Sequence, residues 1–421
     1  MNLLKSIKNR IAKLGPGLVT GASDDDPSGI ATYTQAGAKF GPTLLWTAIV
    51  TYPLMINIQE MCARVGVVSG GGITKTIKTS YPKAVLYLIL FVSFPAITLN
   101  IGADIAGMGA VGNLIIPAVP PFIFSIVFTL ILIYSIIFWS YSRISKILKW
   151  LCLVLFCYIL IPFVTKTDWM GALKSTFIPE FKFEAQYFIA LVGILGTTIS
   201  PYLFFWQANM EVEETVLRKH TIVDKKLISD INTDIKSGML LTNVVFYFII
   251  LASATVLFKA GINDIETVEQ AAMALKPLAG DMAYLLFAVG IIGTGFLAIP
   301  VLGGSLSYMF AEAFGWEEGL NKKFHEAKGF YITMIISLGM GLLLHLTGVS
   351  PVKALYYSAV LYGITAPILI GIILHIANNK KIMRNYTNNR SQNIIGFTTL
   401  IIMAVSSGIL LYFLFKGGAK F

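Results

Sequence analysis

Gly15-Pro16-Gly17-Leu18-Val19-Thr20-Gly21-Ala22-Ser23-Asp24-Asp25-Asp26-Pro27-Ser28-Gly29-Ile30-Ala31-Thr32-Tyr33 reads as an apolar helix stopped midway by three carboxylates, a proline and a glycine. One Asp at the centre of a membrane helix costs about 2.5–3.5 kcal/mol on insertion scales, so three facing lipid would cost on the order of 8–10 kcal/mol. The three must therefore face protein, water or a cation. Pro27 removes a backbone donor and crowds the preceding turn, and Gly29 tolerates unusual backbone angles, so the chain is expected to unwind at residues 26–29. Carbonyls freed by such a break are tolerated at membrane depth only where they line a cavity. Carboxylate plus freed carbonyls makes a hard, oxygen-rich cation site. A plainer reading makes Asp26 the N-cap and Pro27 the first residue of a second half-helix. It accounts for Asp26 but not for Asp24 and Asp25.

The composition agrees with a membrane setting. The chain has 421 residues, 56% of them hydrophobic and 13% charged, and its mean hydropathy is +0.75. Soluble globules carry roughly 25% charged residues. A soluble enzyme, a disordered chain and a coiled coil are excluded, and an all-α polytopic membrane protein is expected. Eleven stretches are apolar and long enough to span, at about 14–36, 43–64, 84–112, 120–140, 147–165, 187–209, 237–258, 282–313, 329–347, 353–376 and 394–415. The connections are too short for a soluble domain, so residues 1–421 are expected to form one transmembrane domain. The net charge of +10 does not gather into a nucleic-acid patch. With the N-terminus inside, 23 of the 32 Lys and Arg fall on inner segments. That places the C-terminus outside a plasma (inner) membrane. Residues 1–13 are basic and amphipathic, unlike a cleavable signal. Cys62, Cys152 and Cys157 form no disulfide pattern or spaced metal motif and read as core filler. Trp46, Trp139, Trp150, Trp169 and Trp316 lie near span ends, as interface anchors do.

A second span breaks in the same way. Gly193-Ile194-Leu195-Gly196-Thr197-Thr198-Ile199-Ser200-Pro201-Tyr202 places a proline mid-membrane beside three hydroxyls. Alone, this is a kink. The breaks, however, fall in spans 1 and 6, the first helices of two five-span halves at about 14–165 and 187–376, with an extra helix at 394–415. Matching interrupted helices point to inverted repeats and a midplane site.

The residues at these places resemble a known family. Gly15-Pro16-Gly17, Asp26-Pro27-Ser28-Gly29, Gln35-Ala36-Gly37-Ala38 and Leu44-Leu45-Trp46 resemble the first helix of the Nramp divalent-metal transporters. Gln59-Glu60-Met61-Cys62-Ala63-Arg64 resembles the end of their second helix, and Gly196-Thr197-Thr198-Ile199-Ser200-Pro201 their sixth. The resemblance covers most of the chain, most specifically residues 15–72. It implies eleven helices in the sodium-symporter-like fold, a divalent cation as substrate, no cofactor, no enzymatic activity and a monomer. The departures are chemical. The family carries Asp-Pro-Gly-Asn in helix 1, but Gly29 holds the asparagine position here. Its Met-Pro-His in helix 6 is Ser200-Pro201-Tyr202, and a further histidine is Gln207. In helix 3 Asp104 is kept, while the Glu three residues on is Gly107. This pattern resembles the Nramp-related magnesium transporters. Thioether and imidazole suit Mn²⁺ and Fe²⁺, whereas hydroxyl, carboxylate and water suit Mg²⁺. The resemblance implies a roomy site for a partly hydrated Mg²⁺ or Mn²⁺. Asp26 is its strong anionic ligand, with Gly29, Thr197, Ser200, Asp25 and Asp104 beside it. The backbone carbonyls of Asp26 or Gly29 and of Thr197 would also contribute. Asp24 and Asp25 would concentrate cations or hold their waters.

None of the histidines, His220, His325, His345 and His375, lies in span 1, 3 or 6. With Gly107 lacking a carboxylate, a proton relay loses its usual parts, and uncoupled uptake is expected. Asp104 keeps coupling open. Weaker signals are a Glu60–Arg64 pair, an unassigned Glu312, an acidic group at Glu211, Glu213 and Glu214, and Tyr357, Ser358, Tyr362 and Thr365 as a polar face of span 10. Three other readings compete. They are a proton-coupled Mn²⁺/Fe²⁺ importer, a sodium-coupled organic-solute symporter, and an intramembrane enzyme, for which no zinc-protease or nucleophile-elbow motif is present.

Overall fold

A computed structural model describes residues 15–139, 153–217 and 223–416. The basic segment 1–13, Arg143, Lys146, Lys149, Trp150, Cys152, Arg218, Lys219 and His220 lie outside the described residues, as does the start of the fifth apolar stretch. Among the described residues the structure is helical, without strands. The elements that place the site are α1 (Pro16–Asp24), α2 (Pro27–Phe40), α3 (Trp46–Ser69), α4 (Ile73–Ser80), α5 (Lys83–Ile115) and α6 (Pro121–Phe138). They continue with α7 (Cys157–Val164), α8 (Trp169–Phe177), α9 (Ala185–Thr198), α10 (Pro201–Leu217) and α11 (Lys225–Ser253), which runs on into a π-turn (Ala254–Phe258). The last are α12 (Ala283–Phe314), α13 (Lys328–Leu342), α14 (Pro351–Asn378) and α15 (Arg390–Phe415).

Eight helices among the described residues are long and apolar enough to cross a membrane. Eleven is not reached by that measure, for three separate reasons. The first stretch is split into α1 and α2, of nine and 14 residues. The second, α3, carries Asn57, Gln59, Glu60 and Arg64 from its middle onward. The fifth is described only from residue 153. The segment Ala185–Leu217, interrupted at Ser200, is buried throughout its apolar window and runs through the middle of the molecule. Apolar side chains such as Phe91, Leu130, Phe138 and Phe163 are exposed on the outer helices, the surface that lipid must cover. Trp139, Trp169 and Trp316 are exposed, as interface anchors should be. Trp46 is not: it is buried against Phe181, with ring centroids 5.2 Å apart. Cys62 is buried and Cys157 half-buried, and both are free thiols.

Two glycine crossings bring broken helices hard against their neighbours. A Cβ on Gly238 of α11 would lie 2.1 Å from the Gly17 carbonyl of α1, and one on Gly21 would lie 2.3 Å from the Gly238 carbonyl. A Cβ on Gly196 of α9 would meet the Ala359 carbonyl of α14 at 2.1 Å. Only glycine permits backbones to meet this closely.

Candidate cation site at the two helix breaks

Proline chemistry sets the geometry of both breaks. A proline lacks the N–H that would serve the carbonyl four residues before it. Pro27 therefore leaves the Ser23 carbonyl without its helical donor, and the Tyr202 hydroxyl of α10 donates to it at 2.9 Å. Pro201 does the same to Thr197, whose carbonyl accepts from the Ser200 hydroxyl at 2.6 Å. One break is thus repaired by the other broken helix, the second by its own side chain.

The unwinding lies one step earlier than residues 26–29. α1 ends at Asp24 and α2 begins at Pro27, so Asp25 and Asp26 are the non-helical pair and Gly29 lies in the first turn of α2. The reason is capping. Asp26 is the N-cap of α2: its Oδ1 accepts from the Gly29 amide at 2.7 Å and from the Ser28 hydroxyl at 3.0 Å. Its own carbonyl accepts the Ile30 amide at 3.0 Å, so it is not one of the freed carbonyls expected here, and Gly29 is already helical.

The carboxylates share a small set of donors. Asp26 Oδ2 accepts from the Asn100 amide of α5 at 2.8 Å. Asp25 Oδ1 accepts from Thr242 of α11 at 2.8 Å, and the same hydroxyl lies 3.4 Å from Asp24 Oδ2. Ser200 lies 3.4 Å from Asp24 Oδ1. Asp104 is fully buried one turn from Asn100, 3.5 Å from its amide. Its Oδ1 completes no hydrogen bond of ordinary geometry, and the Ser28 backbone lies alongside it. Every one of the six expected residues is therefore at or beside the breaks. Gly29 and Thr197 meet directly: a Cβ at Gly29 would lie 3.1 Å from Thr197 Oγ1 and 3.2 Å from the Asp24 carbonyl. The room expected from having Gly in place of Asn is taken up by these groups. Gly107 is likewise filled in, with a Leu355 methyl 2.9 Å from where its Cβ would stand. Ala31, Phe287, Ile291 and Val352 make the rest of that nook apolar.

Sequence reading passed over Asn100 and Thr242. Asn100 is four residues before Asp104, hence on the same helix face, and that spacing was the available signal. Thr242 had none. No group of three or more His, Cys, Asp or Glu that could hold a metal is found among the described residues, so any ion here relies on hydroxyl, amide, backbone and water oxygens as well as carboxylates.

Toward the end of the molecule where α2 finishes, a cavity of about 280 Å³ is lined by Gln35, Lys39, Gln186, Asp264, Glu266, Lys353, Tyr356 and Tyr357. Lys39 pairs with Asp264 at 2.6 Å across its wall. Of the other polar residues of span 10, Ser358 bonds Asn100, the Tyr362 ring lies tilted against Tyr202 with centroids 5.7 Å apart, and Thr365 bonds within its own helix. At the opposite end α1 is closed down. The Gly15 and Gly17 amides donate to the two oxygens of Asp234 on α11, at 2.9 and 2.7 Å. Thr20 bonds Gln207, whose amide donates to Glu211 at 2.8 Å. Glu213 accepts from the Tyr308 hydroxyl, the Leu320 amide and Asn321. Glu312 caps α4 through the Gly72 and Lys75 amides. Glu60 pairs with Lys236 at 3.5 Å rather than with Arg64, which bonds Asn388.

The broken first and sixth helices around a buried oxygen-rich centre define a transporter-type membrane fold, and solved structures share it. The Eremococcus coleocola manganese transporter, solved with an aromatic bis-isothiourea substituted compound, superposes with a TM-score of 0.75 at 19% identity, covering 95% of this chain and 86% of that one. Mhp1, a nucleobase-cation-symport-1 family transporter in a closed conformation, gives 0.55 at 13% identity, covering 95% and 92%. The Nramp family, described as natural resistance-associated macrophage protein-like, matches residues 17–413, and the chain belongs to that family. Its relatives include proteins named divalent metal cation transporter MntH. The one from Caldanaerobacter subterraneus is 24% identical over 98% of this chain and 95% of its own length. The one from Bacillus subtilis is 22% identical over 98% and 95%.

Proposed function

We propose that this chain is a divalent-cation importer that carries Mg²⁺, and Mn²⁺ as well, as a partly hydrated ion without proton coupling. The observation that carries this reading is the donor set. The side chains bonded to the three break carboxylates are Ser28, Asn100, Ser200 and Thr242, all hydroxyl or amide, with neither sulfur nor imidazole among them. Such a set suits a hard ion that keeps several waters. Asp26 is the principal ligand, with Ser200, Thr197 and Gly29 around it. Asp25 and Asp104 hold the ion's waters. The two halves, 14–165 and 187–376, act as inverted repeats of a single-domain monomer in the plasma membrane. With the N-terminus inside, the 280 Å³ cavity faces outward and the Asp234 contacts close the cytoplasmic end. The membrane potential supplies about 4.6 kcal/mol per 100 mV for a divalent ion.

Uptake into proteoliposomes of Mg²⁺, Mn²⁺ and Ca²⁺, with internal pH recorded, tests the proposal. Mg²⁺ and Mn²⁺ should enter while internal pH stays level, and Asp26→Ala should abolish entry. Wild-type flux in that variant would remove the site assignment. Ser200→Met should shift preference toward Cd²⁺; an unchanged Mg²⁺:Cd²⁺ ratio counts against the ligand argument. One observation favours proton-coupled transport of a transition metal instead. Asp104 is a buried carboxylate with an unsatisfied oxygen at the site, and it can carry a proton. Acidification that tracks metal entry, lost in Asp104→Asn, would establish that second reading.

A further inference from the structure

We infer that Asn100 is a specificity-determining residue whose amide reverses when the ion arrives, exchanging its N–H for its carbonyl oxygen beside Asp26. The inference rests on Asp26 being a ligand of the transported ion.

The hydrogen bonds around Asn100 allow two proton arrangements and favour a different one in each state. In the structure Asn100 Nδ2 donates to Asp26 Oδ2 at 2.8 Å, and its Oδ1 faces the Ser358 hydroxyl at 2.7 Å. That hydroxyl also lies 2.7 Å from the Leu355 carbonyl. A hydroxyl has one proton and can give it to only one of the two. Without an ion, the proton goes to Asn100 Oδ1, and the amide N–H serves the carboxylate as a stand-in for positive charge. With a cation against Asp26, an N–H pointing at the ion is repelled. A half-turn of the amide then places Oδ1 where Nδ2 stood. Nδ2 donates to the Ser358 oxygen, and the Ser358 proton moves to the Leu355 carbonyl. Asn100 and Ser358, both fully buried, keep partners in either arrangement. The exchange costs only the long 3.5 Å contact between Nδ2 and Asp104 Oδ2.

Distance gives the reversal its selectivity. The turned state would put two oxygens, one charged and one neutral, across the 2.8 Å that the N–H···O bond spans in the structure. Mg²⁺ takes oxygens at about 2.0–2.1 Å in a near-ideal octahedron, so neighbouring ligands stand about 2.9 Å apart. Ca²⁺, at about 2.3–2.6 Å, needs about 3.3–3.6 Å between neighbouring oxygens in a six-coordinate shell, and takes shorter spacings only by gathering seven or eight oxygens. The Asp26–Asn100 pair therefore matches an edge of the small ion's octahedral shell, and suits the larger ion only if one or two further oxygens join it. The pair is held from behind by Ser358 and by α5, and so cannot spread freely.

The test is uptake and thermal unfolding of the purified transporter with Mg²⁺ and Ca²⁺. Asn100→Leu, close in shape but unable to ligate, should raise the Mg²⁺ KM about tenfold or more, the factor for losing a hydrogen-bonding partner of a charged group. The ratio of Ca²⁺ KM to Mg²⁺ KM should fall with it, which loss of packing alone would not cause. Ser358→Ala should raise the Mg²⁺ KM in the same direction by a smaller factor, and Ser358→Thr should restore it. If Asn100→Leu does not fold, the Ser358 pair decides: equal Mg²⁺ KM and equal ion ratio in Ser358→Ala and wild type overturn the inference. The underlying site reading is judged separately. Mg²⁺ should raise the unfolding temperature of wild type but not of Asp26→Ala. If Asp26→Ala keeps that rise, the site reading fails. If Asp26→Ala loses it while Asn100→Leu keeps wild-type KM and ion ratio, only the role of Asn100 fails.

Discussion

Asp26 holds two duties in one side chain: Oδ1 caps α2, while Oδ2 faces α5 and the candidate ion position. The duties separate chemically. Asn caps a helix about as well as Asp, whereas Ala costs about 0.5–2 kcal/mol of stability. Asp26→Asn should therefore unfold at nearly the wild-type temperature and yet lose Mg²⁺ uptake. Asp26→Ala should lose uptake and also unfold at lower temperature. Equal unfolding temperatures for the two variants would show that the cap contributes nothing. The six residues expected at the site were legible because each interrupts a pattern, a charge or a break in an apolar run. Asn100 offered only its four-residue spacing from Asp104, and Thr242 offered no signal. Their partners Ser358 and Asp25 are 258 and 217 residues away in sequence, and only folding brings them together.

At the scale of elements, α1 is nine residues long, below the roughly 12–15 at which an isolated helix holds itself together. It persists because α11 supports it, through the Asp234 carboxylate on its first amides and the Gly17–Gly238 and Gly21–Gly238 contacts. Asp234→Ala should loosen this end while leaving α2 in place. A cysteine introduced by Thr20→Cys, buried in the wild-type background, should then react faster with a polar thiol reagent. Gly238→Ala, whose methyl would collide with the Gly17 carbonyl, should act in the same direction. Unchanged reactivity in both backgrounds would show that these contacts do not hold α1. Sequence located both broken helices from Pro27 and Pro201. It misplaced the first break by a residue or two, because glycine suggests freedom and a cap imposes order. Here the Asp26 cap decides, and Gly29 serves by leaving room for the Thr197 hydroxyl.

For the whole molecule, entry without proton coupling, as proposed, would make electrical potential the only lever besides concentration. A potassium-diffusion potential of about 100 mV, inside negative, should drive Mg²⁺ accumulation toward the roughly 10³-fold set by about 4.6 kcal/mol. An imposed pH gradient at zero potential should leave the ion at equal concentrations on both sides. Accumulation under the pH gradient would require a coupled proton. The architecture was legible from hydropathy for eight spans, where apolar runs are long. It was harder to read where function demands polarity: in the divided first helix and in α3, with Glu60 and Arg64 in its last half. One stitch joins the parts. The Tyr202 hydroxyl of α10 holds the Ser23 carbonyl of α1, both fully buried. Drawing either half-helix aside strands that carbonyl in dry surroundings, so the two must shift in tandem. Such a linkage suits a carrier that hands over one ion per cycle and guards against the slippage that would turn it into a leak.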